Sequence, residues 1–252
     1  MRKIGIMTWE EFEETGLIYH YTRVENLASI FQTGLISRYT EGDDYQTIYE
    51  AHYRHRPDHI PKWVDPRRCI FGYMNQKRGP TTVIGIRAEQ QIVERTWTAL
   101  SIFSDWVYGP KEAGYFDTEE LSEYYHKVVE PVFSEAYWKL SMSFWKNLRI
   151  RHDRLLYNQK YFELLICLEK IEPDLLSLQS LGVEGPDGKI PILRAECPAL
   201  FEAAEEKFRR GDDAADELRA IREYAIKDTE STTPPDCSNQ KGLVGVTLRA
   251  LC

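Results

Sequence analysis

LIYHYTRVENLASIFQTGLISR, running from Leu17 to Arg38, is the most informative stretch of the chain. Its first six residues are β-branched or aromatic and read as a strand over 17–22. Over 24–33, Val24, Leu27, Ile30 and Phe31 fall on one helical face, and Gly34 is a natural helix stop. Residues 35–38 resume extended chain. A histidine thus ends a strand two residues before Thr22, and a short helix and Gly34-Leu35 follow at once. A lone His20 in that position would read as a partly buried side chain beside a helix start.

Outward from this unit, Thr8 predicts the N-cap of a short helix over 8–15. Residues 39–66 show no clear period. They are polar, rich in Tyr, His, Asp and Arg, and a connection so long in a compact domain is usually functional. CIFGYM (69–74) and TTVIGIR (81–87) read as strands, as does 96–107 with a turn at Ser104-Asp105. A helix is expected after Asp117, interrupted at Pro131 and resumed over 132–148 with Phe133, Tyr137, Trp138, Phe144 and Trp145. YFELLICL (161–168) is the clearest buried strand. A turn at 185–188, a short extended IPIL, a charged amphipathic helix over 198–227, a polar loop over 228–240 and a last strand over 243–251 complete the reading. The whole is one α/β (α+β) domain over 1–252. Residues 179–252 read either as a C-terminal extension or as the completion of the core.

The composition is that of a globular protein, with 42% hydrophobic and 12% aromatic residues. The N-terminus turns acidic within ten residues without a long apolar run, which argues against a signal peptide, and no apolar run is long enough to span a membrane. Five scattered cysteines without a CxxC pair argue against a disulfide framework and fit a cytoplasmic setting. The net charge of −8 weakly disfavours a nucleic-acid partner, but its distribution is uneven. Residues 51–80 hold seven Lys/Arg against two acids, and 139–160 hold six against one. Residues 196–230 reverse this, with eleven acids against six bases.

No GxGxxG, GxxxxGK[ST], GxSxG or HExxH occurs. His52, His55 and His59 have a spacing that metal ligands use. They lie in a stretch without helical period or cysteine partners, so a solvated polar loop is the better reading.

The combination around His20 resembles the first motif of the ADP-ribosyltransferase superfamily, in which YHxT ends the first core strand. His20, Thr22, Asn26, Leu27, Ile30, Gly34 and Leu35 fall on the pattern of one branch, the DarT-type nucleic-acid ADP-ribosyltransferase toxins. YRHRP (53–57) matches that branch's Arg-rich loop, and IFGYMNQ (70–76) loosely matches its aromatic strand. Phe103-Ser104-Asp105 echoes a Phe-Thr-Asp segment. FWKNLRIRHDRLLYNQKYFELLICLEKI (144–171) has the layout of a basic, Trp-containing helix followed by a strand headed by the catalytic glutamate. The chain departs from the branch where Asn75-Gln76-Lys77-Arg78 replaces a Pro-Arg-Ser-Pro-Met-like run, and where Trp106 follows Asp105.

The resemblance implies two small, roughly orthogonal sheets forming an NAD cleft, flanked by helices. It implies that His20 holds the ribose of NAD, that Tyr21 and Thr22 line the nicotinamide pocket with Asn26 close by, and that Tyr73 stacks on nicotinamide. Glu163 is then the carboxylate that stabilises the ribosyl cation, with Glu169 as nearest rival and Glu196 a weaker one. Arg54 or Arg56 handles phosphate or target. The 39–66 loop becomes a lid over NAD, which is a substrate here, and no metal is needed. Expected partners are single-stranded DNA or RNA as acceptor and an antitoxin protein, as in toxin–antitoxin or phage-defence loci. A protein-directed ADP-ribosyltransferase, an RNA 2′-phosphotransferase and a non-enzymatic binding module stay open as alternatives.

Overall fold

The computed structural model describes residues 15–37, 44–74, 82–100, 117–139, 141–144, 146, 162–185 and 188–231. Strand β1 (Leu17–Thr22) pairs antiparallel with β4 (Thr82–Arg87), and β4 pairs with β9 (Leu176–Gly185), which pairs with β10 (Gly188–Leu193). The second sheet runs in the order β3 (Ile70–Gly72), β7 (Phe162–Ile166), β5 (Thr96–Leu100), β6 (Met142–Ser143), also antiparallel. A small third pairing joins β2 (Leu35–Ile36) to β8 (Lys170–Ile171). The fold is therefore mixed α and β with antiparallel sheets, and the two larger sheets meet at one bridge. There Tyr19 and Tyr73 exchange both backbone N–H···O bonds at 2.8 Å.

The main core lies where these sheets approach each other. Ile18, Ile84 and Ile86 from the first sheet pack with Ile70, Leu164 and Ile166 from the second. Helix α1 (Leu27–Thr33) adds Leu27, Ile30 and Phe31, the spacing that its sequence period predicts. Gly34 ends the helix with φ 90°, and its N–H closes the last turn on the Ile30 carbonyl at 2.8 Å. A Cβ at Gly34 would collide with the Ile171 carbonyl on β8, so both the dihedral and the strand contact require glycine.

The remaining helices are α2 (Asp44–Arg54), α3 (Gln90–Glu94), α4 (Glu119–Tyr124), α5 (Glu130–Lys139), α6 (Pro198–Arg210) and α7 (Ala215–Ser231). Helix α2 corrects the reading of 39–66 as an unperiodic loop folding over the site as a lid. Among its described side chains the buried ones are Tyr49, Ala51 and His52, none of them a large aliphatic, so hydropathy alone hides the period. Ile60 and Val64 behind it are also buried, and His52 is fully buried rather than solvated. The expected helix over 198–227 is two helices, because Gly211 adopts φ 79° and stops α6. Helix 132–148 is shorter than expected and ends at Lys139, with Met142–Ser143 turning into an edge strand.

The helix expected after Asp117 is α4, capped by Thr118, whose Oγ1 accepts the Leu121 N–H at 3.2 Å. Pro131 does not break the chain's helical course. One wider, π-helical turn at Tyr125–Val129 precedes α5. It lies where Pro131 has no N–H to give to the preceding turn.

Strand β9, ten residues long, carries two glycines and polar residues among its leucines, and sequence reading left it unassigned. Phe201, Ala204, Phe208 and Ile221 join the same core as Ile18, so residues up to 221 complete that core. The expected elements at 8–14, 101–107, 147–161 and 243–251 lie outside the described residues.

Candidate active site

His20 sits on β1, on the same face as Ile18, and its imidazole Nδ1 lies 2.8 Å from the carbonyl oxygen of Phe71 on β3. A carbonyl only accepts, so Nδ1 carries the proton and Nε2 is left as an acceptor. Burial lowers the pKa of this imidazole from its ordinary value, outweighing the carbonyl bond, which raises it. His20 lines a cavity of about 240 Å³ with Thr22, Asn26, Ser29, Thr33 and Leu35 among its walls. Asn26 Nδ2 donates to Thr22 Oγ1 at 3.3 Å, tying the strand end to the first turn of the helix. Tyr21 meets Tyr73 edge to face, with ring centroids 5.1 Å apart. His20, Thr22 and Asn26 are therefore brought together at the cavity, whereas Tyr21 alternates to the opposite face of β1 with Tyr19, and neither it nor Tyr73 lines the cavity.

Glu163 lies on β7, next to Leu164, the strand partner of Gly72 on β3, and opposite Ala99 on β5. Side chains alternate along β7. Leu164 and Ile166 enter the main core, whereas Leu165 and Cys167 enter a second cluster with Trp97, Tyr137 and Trp138. Glu163 shares the parity of Leu165 and is only 1% exposed. Its Oε1 accepts the Tyr137 hydroxyl at 2.7 Å and its Oε2 the Tyr49 hydroxyl at 3.4 Å.

A carboxylate removed from water costs several kcal/mol unless donors meet it, so the two phenols account for its tolerance there. The Tyr137 hydroxyl is pushed well above its usual pKa, first by burial and then by the neighbouring Glu163 charge, so it stays a donor at neutral pH.

Phe71 connects the two halves. Its carbonyl fixes His20, and its ring packs on Tyr49 with centroids 4.5 Å apart. The chain of contacts runs His20, Phe71, Tyr49, Glu163. Glu163 is not in the wall of the cavity beside His20; β3 stands between them.

The arginines of the 53–57 stretch stand apart from that cavity. Arg54, at the end of α2, donates to Glu130 at 2.9 Å. Glu130 is buried at the start of α5 and also meets His55 at 3.1 Å and His126 at 2.6 Å. Arg56 donates to the carbonyls of Lys62 (3.1 Å) and Val64 (2.8 Å) and lies over the Tyr53 ring. Of the rival carboxylates, Glu169 is exposed, and Glu196 accepts the Leu193 N–H at 3.0 Å, a local turn bond.

Three further residues belong to this region: Tyr49 and Tyr137, which the sequence did not single out, and His52, which it read only as a solvated loop histidine. Tyr49 and His52 lay hidden in the stretch without a period, and Tyr137 read as one aromatic among five in its helix. Among the described residues no group of three His, Cys, Asp or Glu side chains is arranged to hold a metal ion, and no helix is long and apolar enough to cross a membrane. Compared with known proteins, the chain matches no family model, no curated sequence and no solved structure.

Proposed function

We propose that this chain is an NAD-dependent mono-ADP-ribosyltransferase, with NAD as substrate and single-stranded DNA or RNA as acceptor. The observation that carries the reading is the pairing of two elements through β3. One is a tautomer-fixed histidine at a strand end beside a polar cavity, and the other a buried carboxylate on the neighbouring strand. Two antiparallel sheets meeting at Tyr19 and Tyr73 support an ADP-ribosyltransferase fold. The cavity is smaller than one enclosing a whole drug-sized ligand, and suits one ring and its sugar, such as nicotinamide riboside.

In the proposed reaction the bond between ribose C1′ and the nicotinamide nitrogen breaks, and its electron pair leaves with nicotinamide. The Glu163 carboxylate stabilises the cationic ribosyl carbon through the ribose 2′-hydroxyl once the elements that bury it open toward the His20 cavity. His20 Nε2 accepts a ribose hydroxyl and Thr22 with Asn26 lines the nicotinamide side. A nucleophilic atom of the acceptor base bonds to C1′ and gives up its proton to solvent or a nearby base.

A nucleic-acid acceptor is favoured by the basic 51–80 segment, in which Arg56 and Arg67 lie over Tyr53, and by Arg95, which lies over Trp63 of that segment. Arg54, more than half exposed, is the arginine of the 53–57 stretch that can meet phosphate or target. In a cell such an enzyme would act in the cytoplasm as a toxin of a toxin–antitoxin or phage-defence system, restrained by an antitoxin protein.

The test is incubation with labelled NAD and, separately, single-stranded DNA, single-stranded RNA and mixed protein, with Glu163→Gln alongside. Label on a nucleic acid that disappears in Glu163→Gln supports the whole reading. Label on protein alone keeps the chemistry and moves the acceptor. No label and no released nicotinamide overturns it in favour of a binding module.

A further inference from the structure

Helix α5 and helix α2 close over Glu163 with an arrangement that exceeds what packing alone requires. Ser134, Tyr137 and Trp138 of α5 all engage His52 of α2. Ser134 Oγ lies 3.1 Å from His52 Nδ1, and the Trp138 indole N–H donates to the His52 carbonyl at 2.7 Å. The Tyr137 ring stacks on the imidazole with centroids 3.9 Å apart and planes within 3°. His52 is fully buried and its Nε2 has no hydrogen-bond partner. An apolar ring would fill that volume without leaving a polar atom unmet, so the imidazole is held there at a cost. The clamp leaves Tyr137 one orientation, in which its hydroxyl points at Glu163 Oε1. On the other side Tyr49, packed on Phe71, gives its hydroxyl to Oε2.

We infer that Tyr137, backed by His52, and Tyr49 are positioning residues for Glu163, each holding one carboxylate oxygen so that the group stays in one orientation. The inference rests on the ADP-ribosyltransferase reading for its consequence on turnover, but not for its effect on the carboxylate. Donors to a carboxylate favour its charged form, and the charged form is what a ribosyl cation needs. The 2.7 Å bond should matter more than the 3.4 Å one.

Tyr137→Phe keeps the ring and its stack on His52 while deleting only the hydroxyl. Turnover of NAD, read as released nicotinamide, should fall roughly 10- to 100-fold with KM within about twofold. The acid limb of the pH–rate profile should move to higher pH. Tyr49→Phe should show the same pattern, more weakly. The independent readout is isotope-edited infrared spectroscopy of the carboxylates, with Glu163→Gln used to identify the Glu163 band. In Tyr137→Phe that band should shift and its protonation should begin at higher pH.

An active wild type with kcat and pH profile unchanged in Tyr137→Phe overturns the inference, as does an unmoved Glu163 band. An inactive wild type with a shifted band sinks the enzymatic reading and leaves the two tyrosines as the device that sets this carboxylate.

Discussion

His20 Nδ1 and the Phe71 carbonyl oxygen, 2.8 Å apart, join the end of β1 to the middle of β3 and decide which face of the imidazole can work. Because Nδ1 donates, the neutral ring presents Nε2 as an acceptor. Protonation would turn Nε2 into a donor and remove its bond from a ribose hydroxyl. Burial holds the pKa below the ordinary histidine value, so the acceptor state survives below the usual titration midpoint. NAD affinity should therefore stay level as pH falls from 8 through about 6.5 and weaken only further down. His20→Ala should weaken NAD binding roughly 3- to 10-fold, the loss of one neutral hydrogen bond. Calorimetric titration with NAD at several pH values checks both. Affinity already falling between pH 8 and 7, or unchanged in His20→Ala, would contradict the assignment.

Gly72 lies where β3 passes closest to β1. A Cβ there would stand 2.5 Å from Ile18 Cγ2 and 3.4 Å from Ile166 Cδ1, both in the core between the two larger sheets. Gly72→Ala must push those sheets apart or force Ile18 off its rotamer. We expect a loss of about 1–3 kcal/mol of stability, seen as a lower urea midpoint. The same substitution at Gly16, which has φ 61° and nothing within 4 Å, strains only the backbone and should cost about 1 kcal/mol. Equal losses at both positions would refute the close-approach argument.

Arg54 and Arg56 share a motif in the sequence but have different work in the fold. Both nitrogen–carbonyl contacts of Arg56 hold the 61–64 turn against α2, so Arg56→Ala should lower stability by about 1–2 kcal/mol and leave turnover per folded molecule unchanged. Arg54 is more than half exposed, and Glu130 keeps His55 and His126 when it is removed, so Arg54→Ala should cost less than about 1 kcal/mol. If Arg54 meets the target phosphate, the variant instead weakens oligonucleotide binding and flattens its salt dependence. Thermal melts beside filter binding at two salt concentrations separate the two. A destabilised Arg54→Ala with a silent Arg56→Ala would reverse these roles.

The parts of this fold that sequence revealed share a cause. Leu27–Thr33 buries Leu27, Ile30 and Phe31 at helical period, and Thr82–Arg87 and the strand of Glu163 are short apolar runs buried on both faces, so hydropathy alone exposes them. Helix α2 buries a tyrosine, an alanine and a histidine instead, and reads as a polar loop. β9 dilutes its leucines with serines and glycines, and its Ser177 and Gln179 pack where Gly85 of β4 leaves room. Glu163 was legible as the polar exception in an apolar run, and His20 only through the pattern of residues around it. Tyr49, His52 and Tyr137 were not, since a buried tyrosine looks the same in sequence whether or not its hydroxyl is in use. Only the approach of α2 to α5, distant in the chain, gives these hydroxyls a common partner.

His52 makes the stability of that approach depend on pH. Burial, with a smaller contribution from His55, pushes its pKa down to about 3, against an ordinary value of 6.5. Above pH 6.5 the side chain is neutral in both folded and unfolded chains and contributes no pH dependence. Between 6.5 and about 3 the unfolded chain takes up a proton that the folded chain refuses, so stability is lost as pH falls, by up to about 1.4 kcal/mol per pH unit. His52→Phe removes the titrating group and the unmet Nε2 while keeping a ring beneath Tyr137. Urea unfolding at pH 7.5, 6 and 5 should show the wild type losing more stability than His52→Phe across that range, with the gap opening below 6.5. Parallel pH dependence in the two proteins would mean that the imidazole reaches water or a proton donor in the folded chain, and that His52 is not the sealed platform on which Tyr137 rests.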